Sequence, residues 1–213
     1  AAHGGGALFS ETHRWLLDGL ELADSIVIDA HKMLFVPALC AFVLYRDAKH
    51  RNAAFQQNAP YIFDPATAEI AAYDTGQFTL ECTKPALGYG LWGLWSLFGP
   101  QLFEDLVDVT FATARLWFEK LETAPDFETI NEPQSNIVVF RHIPEKLSDA
   151  SPAEIGEFQI KLRRRVIESG AFYLVSTQID GIGALRTVII NPLTEEQDLD
   201  RLLETLRAEA ERI

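Results

Sequence analysis

Beyond Pro125 the chain alternates short β-branched runs with sharply bounded helical patterns, and this alternation limits the folds open to it. Asn136 to Phe140, Phe172 to Thr177 and Leu185 to Ile190 read as strands. Between the first two lies Ser151-Pro152-Ala153-Glu154. Here Ser151 caps a helix, Pro152 takes its first position and Glu154 closes a capping box. The pattern predicts a helix from there to Ser169, stopped by Gly170, and a last amphipathic helix from Thr194 to Arg212. The order β-α-β-β-α predicts a small α+β domain.

The upstream texture differs. Ser10 to Leu22 places Trp15, Leu16, Gly19 and Leu20 at helical spacing, with Ser10 and Thr12 as candidate caps. Ser25 to Ile28 is a short β-branched run of the buried-strand kind, and Leu39 to Tyr45 is a second strand candidate. Residues 52–80 read as a long irregular segment, a length that in compact domains usually serves function. Pro85 to Phe98 and Gln101 to Glu122 carry two helical patterns split by Gly99-Pro100. The boundary predicted from this is 1–122 for one domain, with its linking helix, and 123–213 for the other. The first residues, Ala1-Ala2-His3-Gly4-Gly5-Gly6, carry no initiator Met and read as the interior of a longer chain.

Composition narrows the partners. Eighteen Lys and Arg against 31 Asp and Glu give a net charge of −13, and the basic cluster Arg163-Arg164-Arg165 lies in a helical pattern. Nucleic-acid backbones need clustered cations, so no nucleic acid is expected. The run from Met33 to Tyr45 is interrupted by Pro37 and falls short of the about 20 apolar residues a bilayer requires, so no membrane is expected either. Cys40 and Cys82 form neither a disulfide framework nor a zinc spacing. They predict buried reduced thiols in a cytoplasmic protein, with no metal site.

Four sets of residues could carry chemistry. Gly88-Tyr-Gly90-Leu-Trp-Gly93 matches the glycine pattern of dinucleotide folds, but no strand precedes it. Small residues allowing close helix packing explain it better. Lys32 sits between a β-branched run and an uncharged one. It is either a desolvated amine suited to Schiff-base chemistry or a snorkelling Lys paired with Asp29. Arg186, in a strand pattern, shares a face with Val188 and Ile190. It is an edge charge or a planar fork for a carboxylate. Tyr61, in the long segment, is a proton donor or an anchor.

Together these residues resemble a known family. Asp24-Ser25-Ile26-Val27-Ile28-Asp29-Ala30-His31-Lys32 resembles the His-Lys signature of group II pyridoxal-phosphate-dependent amino-acid decarboxylases. Ala1-Ala2-His3-Gly4-Gly5 is similar to that family's Asp-x-Ala-aromatic-Gly-Gly turn, entered just after its Asp. Pro60-Tyr61-Ile62-Phe63 with Tyr73-Asp74-Thr75-Gly76 resembles the catalytic-loop region of glutamate decarboxylases. Leu185 to Pro192 with Asp198-Leu199-Asp200 resembles the C-terminal strand and helix of the same branch. The four motifs occur in order along essentially the whole chain. His3 stands where relatives often carry Tyr or Trp.

The resemblance implies an α/β protein of the pyridoxal-phosphate fold type I, aspartate-aminotransferase-like. It implies the end of the large domain followed by the small C-terminal α+β domain. It implies pyridoxal 5'-phosphate as cofactor, an L-amino acid as substrate, and a homodimer with sites at the subunit interface. By position, Lys32 forms the Schiff base, His31 helps hold the phosphate and Ala2 packs on the pyridine ring. Arg186 binds the substrate α-carboxylate, and Tyr61 delivers a proton to Cα once carbon dioxide has left. The Asp that pairs with the ring nitrogen falls before Ala1, so residues 1–213 alone are expected to be inactive. The competing readings are an aminotransferase or aldehyde-forming enzyme of the same fold, and a non-catalytic relative.

Overall fold

The computed structural model describes residues 1–37, 39–55, 76, 79–81 and 83–213. Two compact units emerge, Ala1–Phe103 and Glu104–Ile213.

The first unit opens with three 3-10 turns, Gly4–Phe9, Arg14–Leu17 and Leu20–Leu22. The helix expected over Ser10 to Leu22 does not form. Apart from Arg14 N to Ser10 O, its turn hydrogen bonds span three residues, as in Leu16 N to His13 O and Asp18 N to Trp15 O. Gly19, at φ 93°, breaks the run. Trp15, assigned to a packed face by spacing, is exposed. Ser10 keeps its capping role on a smaller scale, its Oγ accepting from His13 N at 3.1 Å.

Strand β1 (Ser25–Ile28) pairs antiparallel with β2 (Phe42–Tyr45), in the register Ser25 with Tyr45 through Ile28 with Phe42. Between them lie the single-turn helix α1 (Ala30–Met33) and an irregular return. Helix α2 (Lys49–Phe55) follows. A small core gathers Ala30, Leu34, Val36, Cys40 and Phe103, with Phe9, Phe42, Leu91 and Leu94 packed against it. Cys40 is buried and free, and burial pushes its thiol pKa up. Cys82 lies outside the described residues.

Helix α3 (Gly88–Glu122) is interrupted at Gly99, whose φ of 70° and ψ of −172° are not helical, just before Pro100. The split expected at Gly99-Pro100 is therefore present, since Pro100 has no N–H for the ladder. The close helix approach expected of the Gly88–Gly93 motif is not. A Cβ on Gly88 or Gly93 would meet nothing within 4 Å, and one on Gly90 would meet Val36 Cγ1, in the return after α1, at 3.2 Å.

The second unit is a four-stranded antiparallel sheet in the order β3-β4-β6-β5. Its strands are β3 (Phe127–Thr129), β4 (Ile137–His142), β5 (Val175–Ile179) and β6 (Ile182–Val188). Helices α4 (Pro152–Glu168) and α5 (Glu196–Ala210) complete it. Strand β3 was not foreseen, because Phe-Glu-Thr is too short to show alternation. The β5–β6 turn follows from its two residues: Asp180 and Gly181 adopt φ 53° and 78°, the left-handed pair that an Asp-Gly hairpin favours. The capping box is as expected, with Ser151 N donating to Glu154 Oε2 at 2.8 Å and Glu154 N to Ser151 Oγ at 3.4 Å.

The core of this unit joins Trp117 and Leu121 to Phe140, Leu162, Leu185 and Leu206. Trp117 and Phe140 meet edge to face, centroids 5.6 Å apart. Helix α4 approaches β6 closely enough that neither backbone tolerates a side chain there. A Cβ on Gly183 would lie 2.5 Å from Gly156 O, and one on Gly156 would lie 2.8 Å from Gly183 N.

A polar cluster closes the sheet's edge. Arg207 grips Asp126 with Nε and Nη2 at 2.7 and 2.6 Å, and the Nδ1 of buried His142 lies 3.0 Å from Asp126 O. The Arg207 hydrogen bonds hold Asp126 below the usual carboxylate range, and burial holds His142 below the usual imidazole range. Both folded-state values lie under their unfolded ones, so the unfolded chain binds more protons between each pair of values. Stability from this cluster is complete at neutral pH. It falls first below about pH 6.5 as unfolded His142 protonates, and again below about pH 4 through Asp126. Arg207→Ala is expected to cost about 1–2 kcal/mol at pH 7, discounted for the partial exposure of the pair. The loss should shrink at pH 3, where the carboxylate partner is being protonated. Urea unfolding at the two pH values checks this, and an equal loss at both would refute it.

Candidate active site

The candidate site is built at the end of β1, where a strand turns abruptly into α1. Asp29 stands at the N-cap of that turn in an extended conformation, yet its side chain caps nothing. Its Oδ2 instead receives Lys32 Nζ at 2.6 Å. The turn dictates this, because Lys32 N donates to Asp29 O at 3.1 Å and residues three apart share a face. The Lys32 hydrogen bond holds the Asp29 carboxyl below its ordinary pKa, against an opposing push from desolvation. Both side chains keep part of their surface open, 32% for Lys32 and 18% for Asp29. The amine is thus paired, as one reading of the sequence had it, and still reachable.

His31 is oriented by the main chain of Cys40. Its Nδ1 lies 2.7 Å from Cys40 O and 3.2 Å from Cys40 N, and its own N–H donates to Cys40 O at 2.9 Å. With its proton on Nδ1 the ring donates to Cys40 O, and with Nδ1 bare it accepts from Cys40 N; either way Nε2 is left for other partners. Nothing in the sequence marked Cys40 as this support, because the contact uses its backbone alone. The chain leaves the turn through Phe35, at φ 56°, a conformation rare for an aromatic residue and the kind of strain that gathers at functional turns.

The glycine-rich start packs against the same strand. A Cβ on Gly5 would lie 3.0 Å from Ile28 Cγ1, so a larger residue there would have to push the Ile28 side chain aside. Gly5 N donates to Ala1 O at 3.0 Å, folding Ala2 and His3 into a tight turn. Ala2, His31 and Lys32 therefore all belong to the first unit, on segments that meet at β1. Arg186 lies in the second unit on β6, opposite Val139 of β4 and Val175 of β5. It is half-buried, on the sheet face away from Leu185 and Thr187. Tyr61 lies outside the described residues, with the 60–63 segment and residues 73–75. Among the described residues no group of three His, Cys, Asp or Glu could hold a metal, and no helix is long and apolar enough to cross a membrane.

The sequence profile of the pyridoxal-dependent decarboxylase conserved domain matches residues 1–143. The chain belongs to this family. Cysteine sulfinic acid decarboxylase of Mus musculus is 30% identical over 211 residues, covering 95% of this chain and 43% of the relative. The crystal structure of mouse CSAD superposes with a TM-score of 0.85 at 28% identity, over 99% of this chain and 44% of that one. The Oryza sativa TDC structure with PLP and tryptamine has a TM-score of 0.86 at 22% identity, over 100% and 44%, a likeness of fold. The fold is thus that of fold type I pyridoxal-phosphate decarboxylases, and this chain spans less than half the length of the relatives it matches.

Proposed function

We propose that this chain is the C-terminal part of a pyridoxal-phosphate-dependent decarboxylase that converts an L-amino acid to its amine and carbon dioxide. The observation that carries the reading is Lys32: a primary amine at a tight strand-to-helix turn, held in place and open to solvent over part of its surface. This donor chemistry fits the cofactor, an aldehyde-bearing phosphate ester. Pyridoxal phosphate, when bound, supplies the aldehyde to which an amine attaches and a ring that withdraws electrons from Cα.

The remaining work falls to the chain's own side chains. Lys32 tethers the cofactor, His31 helps hold its phosphate, and Ala2 leaves room beside the ring. Arg186 binds the substrate α-carboxylate with its planar guanidinium. Tyr61 Oη is the proton source at Cα, which favours amine over the products of transamination. The protein acts as a cytoplasmic homodimer whose sites form at the subunit interface. Support for these roles comes from the motif positions and the family membership.

The test is a panel of L-amino acids, including cysteine sulfinate, glutamate and diaminobutyrate, given to the full-length protein with pyridoxal phosphate. Amine and carbon dioxide in equal amounts from at least one of them is the expected result. Keto acid or aldehyde as the product, or no turnover of any amino acid, would overturn it.

A further inference from the structure

Helix α1 ends after one turn, and the residue that follows it is not the one such an end favours. Leu34 is the C-cap, at φ −103° and ψ 9°, and Phe35 comes next in the left-handed region at φ 56°. Two main-chain bonds seal the end: Phe35 N donates to Lys32 O at 3.4 Å, and Val36 N to Ala30 O at 3.2 Å. Left-handed helix ends of this kind most often carry glycine, which adopts the conformation without a Cβ clash. Phe35 itself is 38% exposed, whereas Leu34 and Val36 on either side are buried in the small core. The neighbours impose the conformation on Phe35.

That one left-handed step decides where the chain goes. It sends Leu34 and Val36 into the same core, and a Cβ on Gly90 of α3 would already lie 3.2 Å from Val36 Cγ1. It also starts the return that brings Cys40 back to His31. Cys40 O accepts from His31 N at 2.9 Å and lies 2.7 Å from its Nδ1. A helical or extended Phe35 would aim Val36 elsewhere, and the bond from Val36 N to Ala30 O would not close.

We propose that Phe35 is a positioning residue that acts through its backbone: its left-handed conformation ends α1 one residue beyond Lys32 and seats the Cys40 main chain against the His31 imidazole. The ring takes no part. Phe35 has this task only if His31 and Lys32 hold the cofactor, as read above. A β-branched residue at this position disfavours the left-handed region, so the cap opens and His31 loses its support. Glycine or asparagine keeps the shape without the ring.

Full-length protein carrying Phe35→Val, Phe35→Gly or Phe35→Asn is titrated with pyridoxal phosphate and reduced with borohydride, and the label on Lys32 is measured by mass spectrometry. Phe35→Val is expected to raise the half-saturating cofactor concentration roughly ten-fold, with Lys32 still labelled at saturation. Phe35→Gly and Phe35→Asn should keep the parent value within about two-fold. A merely structural loss would lower the labelled fraction and leave the half-saturation where it is. Alkylation of Cys40 in the apoprotein reads the return without any cofactor. It should quicken roughly five-fold or more in Phe35→Val and keep the parent rate in Phe35→Gly. Near-ultraviolet circular dichroism checks that each variant is folded, and Phe35→Thr serves if Phe35→Val is not.

The parent's half-saturation in Phe35→Val overturns the proposal and leaves the functional reading standing. An unchanged Cys40 rate in Phe35→Val overturns it too, since the return has then not moved. Cofactor capture as weak in Phe35→Gly as in Phe35→Val does the same, because the ring is then what matters. A parent protein that traps no pyridoxal phosphate on Lys32 overturns the functional reading, and the role of Phe35 falls with it.

Discussion

Lys32→Ala should abolish borohydride-trapped pyridoxal phosphate in the full-length protein and lower turnover about a thousand-fold or more. The size of the effect follows from the role proposed for the side chain. It brings the one primary amine among the residues of the α1 turn, and a group that forms a covalent bond has no partial substitute. Lys32→Arg is the sharper variant. It keeps a cation for Asp29, so the 2.6 Å pairing and the turn survive in kind, but guanidinium stays protonated and is no nucleophile. Equal thermal stability with no trapped cofactor is the expected result for Lys32→Arg. Cofactor still trapped in either variant, on a peptide other than that of Lys32, would refute the assignment.

Gly183→Ala should destabilise the fold by about 3 kcal/mol, lowering the melting temperature by roughly 6–12 °C. The added Cβ would fall 2.5 Å from Gly156 O, a distance no relaxed contact shows, and the opposing atom belongs to backbone. A flexible side chain could swing aside; a helix carbonyl cannot. Relief therefore requires α4 and β6 to separate, which strips contacts from Phe158, Leu162 and Leu185 in the same core. Gly88→Ala is the control, since its Cβ meets nothing within 4 Å, and alanine suits a helix. Denaturant unfolding of the full-length protein measures both. A Gly183→Ala midpoint equal to the parent's would show that the two elements are not so close.

Legibility in the sequence followed how local each determinant is. The Ser151 capping box, the Gly99-Pro100 interruption and the β1 strand are written in adjacent residues, and each is where the pattern puts it, though β1, expected to be buried, buries Ile28 and leaves Ser25 and Val27 exposed. The Ser10–Leu22 segment misled because helical spacing of apolar residues outlives the helix itself: Gly19 and the three-residue hydrogen bonds make turns whose Trp15 is exposed. Strand β3 exists because Thr129 pairs with Phe140 of β4, a partner that three residues cannot announce. In the site, Lys32 and His31 stood out by type and order. The Cys40 backbone that orients His31 left no trace, because a main-chain acceptor has no letter in the sequence.

The Asp180-Gly181 turn has a kinetic consequence. Its two left-handed residues let β5 and β6 pair by zipping outwards from Ile179 and Ile182, an event of about 1–10 μs. Pairing of β6 with β4 must wait for closure across the chain between Ile137 and Val188. Helix α4 lies within that span, and its Gly156 faces Gly183 of the same hairpin. Sliding it by one turn would set Pro152 or Ile160 in place of Gly156 against Gly183, where the backbone has no room. The glycine pair thus works as a key for alignment, accepting the helix in one register and turning away its neighbours.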